Sequence, residues 1–195
     1  MPLTRSLLLV ALLAATAEAK PKHTAGAVAI LIDRSGSMQG PKLDRAKAAA
    51  LAAVDALDPT DLVEIVAFDS DASVIVPITP AAKRADIAKQ LEPLKAGGGT
   101  AILPALQLAF DALRDAKGPR HVVLLTDGEA PSDGIDDLAK RMHAAKITTS
   151  AIGVQGADRN LLSMIADATD GRLYMVDDMA TLKSVFAADV KRFLP

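Results

Sequence analysis

Three features of the sequence predict an α/β fold with a doubly wound, mostly parallel sheet flanked by helices. Short apolar runs alternate with amphipathic stretches from Ala25 onwards, as strands followed by helices do. Two runs, Ala27–Ile32 and His121–Thr126, are almost purely aliphatic, which is typical of strands buried on both faces. A third run, Ser73–Ile78, contains Pro77, which cannot donate to a neighbouring strand, and predicts an antiparallel edge strand that closes a short hairpin.

The predicted elements alternate along the chain. Six strands are expected at Ala27–Ile32, Leu62–Phe68, Ser73–Ile78, His121–Thr126, Thr148–Val154 and Arg172–Val176. Helices are expected near Pro41–Leu57, Ala81–Leu91, Ala101–Ala116, Ile135–Ala145, Asn160–Ala168 and Met179–Phe193. The first helix carries its apolar residues on one face, at Leu43, Ala46, Ala50, Val54 and Leu57.

Length and composition indicate one domain and argue against a nucleic-acid partner. The chain has 195 residues, of which 50% are hydrophobic, enough for one sizeable core but not for two ordinary domains. Its formal net charge is −2, and with one Tyr, four Phe and no Trp it has few side chains to stack on bases. Because it has no Cys, the fold holds no disulfide.

The first residues have the pattern of a secretory signal peptide. Arg5 precedes a short apolar stretch, Leu7–Ala15, and small residues follow at Ala17 and Ala19. We predict a signal peptide over residues 1–19 and a single domain over residues 20–195, secreted or periplasmic, with no membrane span after cleavage. The alternative is a retained anchor, although the stretch is shorter than the roughly 20 residues that a bilayer span needs.

Oxygen-bearing side chains follow the two central strands. Asp33, Ser35 and Ser37 lie on the loop after the first strand, and Asp127 follows the fourth. Thr100 ends a turn of three glycines that leads into a predicted helix. Loops at the carboxyl ends of parallel strands share one edge of the sheet, and ligands collect where the strand order reverses. We therefore expect three hydroxyls and two carboxylates to converge there.

This all-oxygen set predicts the kind of ion that it binds. Hard oxygen donors suit Mg²⁺ or Mn²⁺ better than Zn²⁺ or copper, and Mg²⁺ retains several waters, so that few direct protein ligands suffice. Serine hydroxyls also leave most of the charge of the ion uncancelled. We therefore expect Mg²⁺ as the cofactor, with Mn²⁺ or Ca²⁺ as alternatives, and an ion that still accepts an incoming carboxylate.

Three motifs together resemble the von Willebrand factor A domain with its metal-ion-dependent adhesion site, in its bacterial exported type. They are D-x-S-x-S from Asp33 to Ser37, G-G-G-T ending at Thr100, and T-D-G from Thr126 to Gly128, and the resemblance spans roughly residues 25–193. It implies the sheet order 3-2-1-4-5-6.

The resemblance also implies a role for each site residue and for the last helix. Ser35 and Ser37 would bind the metal directly, Asp33 and Asp127 mainly through water, and Thr100 directly in the active state. In the family, such a change at the metal is relayed to the last helix, here Met179–Phe193, which slides along the sheet.

Simpler roles are open for the same residues. Asp33, Ser35 and Ser37 could cap the helix that starts near Pro41, and Thr100 is expected to cap the helix after it whatever else it does. Asp69, Asp71, Ser132 and Asp133 fall on loops of the same edge, either as solvated turn residues or as a rim for the partner.

The resulting functional hypothesis is a non-enzymatic, exported binding domain that captures an Asp or Glu of a protein partner through Mg²⁺. The alternative is a metal-dependent hydrolase that attacks a phosphoester with Asp33 as nucleophile or base. No P-loop and no Ser-His-Asp arrangement is recognised in the sequence, and none of the three His is expected to serve the site. A chelatase-type subunit is a third candidate, which the signal peptide disfavours.

Overall fold

The computed structural model describes residues 24–194, so the predicted signal peptide lies outside the described residues and stays a prediction. Within this range the chain forms a six-stranded sheet with the order β3-β2-β1-β4-β5-β6, as predicted. All neighbouring strands are parallel except β2 and β3. The strands are β1 (Ala27–Asp33), β2 (Leu62–Phe68), β3 (Ala72–Pro80), β4 (Arg120–Thr126), β5 (Ile147–Gly153) and β6 (Leu173–Met175).

Helices cover both faces of the sheet. They are α1 (Pro41–Ala56), α2 (Arg84–Leu91), α3 (Ile102–Leu113), α4 (Ile135–Ala144), α5 (Arg159–Ala168) and α6 (Leu182–Phe193). Helices α1, α2 and α6 pack on one face, and α3, α4 and α5 pack on the other. Among residues 24–194 no helix is both long and apolar enough to cross a membrane.

The alternation of the strands explains this two-layer core. In β1 every residue is buried, and successive side chains point into opposite clusters: Val28, Ile30 and Ile32 face α1 and α6, whereas Ala27, Ala29 and Leu31 face α3 and α5. Burial on both faces makes β1 and β4 the rigid centre of the sheet. The predicted apolar face of α1, from Leu43 to Leu57, is buried.

The predicted elements are confirmed, with differences at their ends. Strand β3 is longer than expected, and its register against β2 shifts on both sides of Ile65, on one side opposite Pro77, which has no N–H to donate. The second and last helices each begin with a short 3-10 turn, Ala81–Lys83 and Met179–Thr181, before the α-helix proper. Short 3-10 turns are common at helix termini, where i→i+3 bonds satisfy groups that lack an α-helical partner.

The topology places one crevice at the carboxyl edge of the sheet. From β1 the chain adds β2 and β3 on one side, while β4, β5 and β6 extend on the other. Loops that leave β1 and β4 therefore diverge in opposite directions, and a crevice opens between them. The oxygen-bearing residues identified in the sequence follow these two strands.

Candidate metal centre

Asp33 ends β1 and is fully buried, with both carboxylate oxygens occupied by donors of the site itself. Its Oδ1 accepts a hydrogen bond from the Ser35 N–H at 2.7 Å, and its Oδ2 accepts one from the Thr126 hydroxyl at 2.5 Å. Thr126 is the last residue of β4, so this contact joins the ends of the two central strands. Through these two hydrogen bonds Asp33 orients the loop that follows β1.

The two serine hydroxyls of the loop lie side by side, and that of Ser37 reaches Asp127. Ser35 Oγ and Ser37 Oγ are 3.0 Å apart, and Ser37 Oγ donates to Asp127 Oδ1 at 2.6 Å. Ser35 is buried, whereas Ser37 is exposed. None of these side chains is the N-cap of the following helix, because the N-cap of α1 is Gly40 and no side-chain cap hydrogen bond forms there. The capping interpretation of the motif is therefore wrong.

Thr100 joins the same group from a neighbouring loop. A Cβ built on Gly128 would lie 3.0 Å from Thr100 Oγ1, so the hydroxyl sits directly against the loop after β4. The expectation that Thr100 caps the next helix is wrong, since the N-cap of α3 is Ala101 and no side chain bonds there. Within residues 24–194 the Thr100 hydroxyl has no hydrogen-bond partner and is open to a ligand.

The glycine turn is tied to the first loop through the backbone. Gly36 N–H donates to the Gly98 carbonyl at 3.1 Å, and Gly97 N–H donates to the Arg34 carbonyl at 2.7 Å. Gly98 has a positive φ of 80°, and a Cβ there would lie 3.0 Å from Asp69, so a glycine is required. Two backbone hydrogen bonds thus join the two loops.

A second layer of contacts supports these loops. The Arg34 guanidinium pairs with Asp69 at 2.7 Å, and Gly99 N–H donates to the Ser70 hydroxyl at 2.8 Å. Asp69 and Ser70 belong to the turn between β2 and β3. Arg34 and Asp69 are thereby engaged in holding loops together. Asp71, Ser132 and Asp133 are exposed on the same edge of the sheet.

Lys42, the second residue of α1, also belongs to the site, although it was not predicted from the sequence. Its ammonium group donates to Asp127 Oδ2 at 2.6 Å, so both oxygens of this carboxylate are engaged. The signal was present, because a lysine in the first turn of a helix faces the positive end of the helix dipole and gains nothing locally. Its partner became apparent only once the fold brought α1 next to the loop after β4.

Burial is the main influence on the ionisation of Asp33. Loss of solvent raises the pKa of its carboxyl group, hydrogen bonds from Ser35 and Thr126 act in the opposite direction, and the negative charge of Asp127 raises the pKa further. The two carboxylates are therefore close enough to repel each other. A cation between them would relieve this repulsion.

The donor set fits a hard divalent ion. Three hydroxyls and two carboxylates converge, from Ser35, Ser37, Thr100, Asp33 and Asp127. Nowhere in residues 24–194 does a group of three or more His, Cys, Asp or Glu residues come together to hold a metal. Any ion at this edge would therefore depend on hydroxyl oxygens. Such ligands suit Mg²⁺ or Mn²⁺ and are poor ligands for a soft metal.

A second buried polar cluster lies under α6, and the sequence did not predict it. Asp189 Oδ1 accepts from the Ser150 hydroxyl at 2.9 Å and from the Tyr174 hydroxyl at 3.0 Å, while Asp189 Oδ2 lies 2.8 Å from His121 Nε2. Thus Ser, His and Asp do meet in this fold. This hydrogen-bond arrangement is not that of a catalytic nucleophile. Ser150 and His121 both bond to Asp189, and all three residues are fully buried.

Comparisons with known proteins agree with this architecture. The family model of the von Willebrand factor type A domain matches residues 27–188. "Uncharacterized protein sll0103" of Synechocystis sp. is 34% identical over 155 residues, which cover 76% of this chain and 37% of that protein.

Two solved structures share the fold. The von Willebrand factor type A protein from Catenulispora acidiphila has a TM-score of 0.79 and 28% identity, over 88% of this chain and 43% of that one. Proximal thread matrix protein 1 from the mussel byssus, solved with a zinc occupied MIDAS motif, has a TM-score of 0.75 and 20% identity, over 87% of this chain and 46% of that one. The chain spans less than half the length of each of these three proteins. It belongs to the von Willebrand factor type A domain family.

Proposed function

We propose that this domain is an exported binding module that captures an Asp or Glu side chain of a protein partner through a divalent ion. Domains of this family typically serve in protein interaction or adhesion, and some of them hold a metal. The observation that carries the proposal is the convergence of two carboxylates and three hydroxyls at the crevice between β1 and β4. Export rests on the predicted signal peptide over residues 1–19.

The proposed metal ligands divide by charge. Ser35 and Ser37 would contribute neutral oxygens and Thr100 a third, while Asp33 and Asp127 would act mainly through bound waters. The bound ion would act as a Lewis acid toward an anionic ligand. Because so little of its charge is cancelled by direct ligands, a carboxylate from a partner would complete the coordination. Mg²⁺ is the proposed ion, with Mn²⁺ or Ca²⁺ as alternatives, and the zinc occupied MIDAS of the mussel protein adds a further ion to test.

A groove next to Thr100 would receive residues that flank the captured carboxylate. It has a volume of about 340 Å³, and its walls include the apolar side chains of Leu103, Pro104 and Pro131, with Ser70 and Asp133 as polar members. Thr100 lines both this groove and the proposed metal centre. A partner segment could therefore place a carboxylate on the ion and a neighbouring aliphatic group in the groove.

The geometry of Asp33 argues against the hydrolase alternative. Its side chain has no solvent exposure, and each carboxylate oxygen already accepts a hydrogen bond from within the site. A nucleophile or base needs one oxygen free to approach the substrate.

Calorimetric titration with Mg²⁺ tests the metal site. Ser37→Ala should weaken binding at least tenfold and leave the unfolding free energy almost unchanged, because an exposed loop hydroxyl contributes coordination and little packing. Ser132→Ala is the matched control, since this exposed serine lies on a loop of the same edge and should bind Mg²⁺ as the wild type does. Equal affinity in all three proteins would overturn the assignment.

Selection from a random heptapeptide display library tests whether the site captures the carboxylate of a partner. Selection on the wild-type domain in Mg²⁺ should enrich peptides with Asp or Glu, and elution with EDTA should recover them. Thr100→Ala should reduce this enrichment. Peptides that stay bound in EDTA, or that show no preference for acidic residues, would contradict capture through the metal.

A further inference from the structure

The ion pair between Lys42 and Asp127 places a cation of the protein itself at the proposed metal centre. Lys42 Nζ lies 2.6 Å from Asp127 Oδ2, a distance typical of a charge-assisted hydrogen bond. The Asp127 side chain has no exposure, whereas 30% of the Lys42 side chain is exposed. The carboxylate is therefore fixed, and the lysine has room to move away into solvent.

The position of Lys42 is unfavourable for the helix that carries it. It follows Pro41, the first residue of α1, in the turn where the helix dipole is positive and acidic residues are preferred. Asp44 in the same turn is the side chain that this rule expects. A lysine that breaks the local rule and reaches into a site is the pattern of a functional residue.

The charges of the centre show what the lysine does. Asp33 and Asp127 together carry two negative charges when ionised, and Lys42 supplies one positive charge that offsets the repulsion between them. A divalent ion would need the same carboxylate, directly or through a water. Two cations next to one carboxylate repel each other, so the ion and the ammonium group compete.

We propose that Lys42 is a tethered cation that competes with the divalent metal for Asp127 and so sets the metal affinity of the site. In the metal-free domain Lys42 holds Asp127 and stabilises the loop. When the ion enters, the ammonium group withdraws toward solvent, and its residual positive charge favours an anionic partner at the ion. This inference rests on the proposed function, because it presupposes that a divalent ion binds here.

The test is calorimetric titration of Mg²⁺ into the domain and its variants, without any partner. Lys42→Met keeps the length and the apolar stem but removes the charge, and it should bind Mg²⁺ at least tenfold more tightly than the wild type. Arg45→Met is the matched control, because it removes one positive charge from an exposed position of the same helix and should change the affinity less than twofold. Lys42→Arg keeps the charge and should bind no more tightly than the wild type.

Thermal melts in EDTA give a second readout that confirms folding. Lys42→Met should melt slightly below the wild type without metal and gain more from added Mg²⁺. If Lys42→Met binds Mg²⁺ no more tightly than the wild type while Ser37→Ala still binds it more weakly, the competition is wrong and the metal site stands. If neither the wild type nor Lys42→Met binds Mg²⁺, the proposed function and this inference both fall.

Discussion

The crevice between β1 and β4 and the cluster around Asp189 are both polar and largely buried, yet they differ in how their groups are satisfied. At the crevice, the Thr100 hydroxyl has no partner within the described part of the chain, and Asp33 and Asp127 repel each other. Under α6, Asp189 is contacted by a hydroxyl or ring nitrogen from each of β4, β5 and β6. The crevice therefore has polar groups that can still bind a ligand, whereas the polar groups around Asp189 are already paired with one another.

The closed cluster is built to hold α6 on the sheet. The His121 ring stacks on Phe193 at 4.1 Å between centroids, and its Nδ1 lies 2.7 Å from the Thr148 hydroxyl. Burial and the charge of Asp189 raise the pKa of Tyr174 to about 12, so its hydroxyl stays protonated as a donor. Any slide of α6 relayed from the metal would have to break or re-form these bonds, so the cluster opposes such movement.

The largest effect is expected from Asp189→Ala. Removing this carboxylate leaves buried groups of His121, Ser150 and Tyr174 without their partner, which should cost about 3–5 kcal/mol of unfolding free energy. Urea unfolding monitored by circular dichroism measures it. Asp177→Ala removes an exposed carboxylate nearby and should stay within about 0.5 kcal/mol of the wild type. A loss no larger than this control would mean that the cluster does not anchor α6.

Another buried acid, Glu64 on β2, belongs to neither region and should give the next largest effect. Its Oε2 is buried without a hydrogen-bond partner in the described residues, and burial raises the pKa of its carboxyl group from 4.5 to about 7. Between pH 4.5 and pH 7 the Glu64 carboxyl group is therefore mostly protonated in the folded state and mostly ionised in the unfolded state. We therefore expect the contribution of Glu64 to stability to be fully present below pH 4.5, to fall as the pH rises toward 7, and to be smaller by about 3 kcal/mol above pH 7.

Glu64→Gln should remove this dependence. Gln stays neutral, so the variant should be more stable than the wild type at pH 8 by about 2 kcal/mol and should lose its advantage near pH 4. Urea unfolding of both proteins at intervals between pH 4 and pH 8 measures the difference. Glu92→Gln, an exposed glutamate after α2, serves as the control and should follow the wild-type curve. Parallel curves for Glu64→Gln and the wild type would show that Glu64 does not contribute this pH dependence.

The smallest effect on stability is expected at the crevice, from Asp127→Asn. The change keeps an acceptor for Ser37, removes the ion pair with the partly exposed Lys42, and relieves repulsion with Asp33, so the opposing effects nearly cancel. We expect a change within about 1 kcal/mol in EDTA, together with a clear loss of Mg²⁺ affinity. A destabilisation as large as that of Asp189→Ala would contradict the difference described here between the crevice and the cluster around Asp189.

The fold and most residues of the crevice could be predicted from local patterns along the chain. Strands β1 and β4 are aliphatic because both of their faces are buried, and this local pattern is enough to identify them as the sheet centre. Asp33, Ser35 and Ser37 stand at fixed short spacing after β1, so their neighbourhood is a local property of the chain. Thr100 and Asp127 were linked to them by the rule that loops at the carboxyl ends of parallel strands share one edge of the sheet, and by the family resemblance.

Which distant side chains share a hydrogen bond could not be predicted in this way, because it depends on how separate elements pack. Lys42 and Asp127 are 85 positions apart, and His121 and Asp189 are 68 apart, so no periodicity or motif links them. Thr100 is expected to cap a helix on local grounds, yet the loop contacts place its hydroxyl against Gly128 instead. Periodicity reports which face of an element is buried, whereas the partner of a buried polar group depends on how separate elements pack, and that is set by the whole fold.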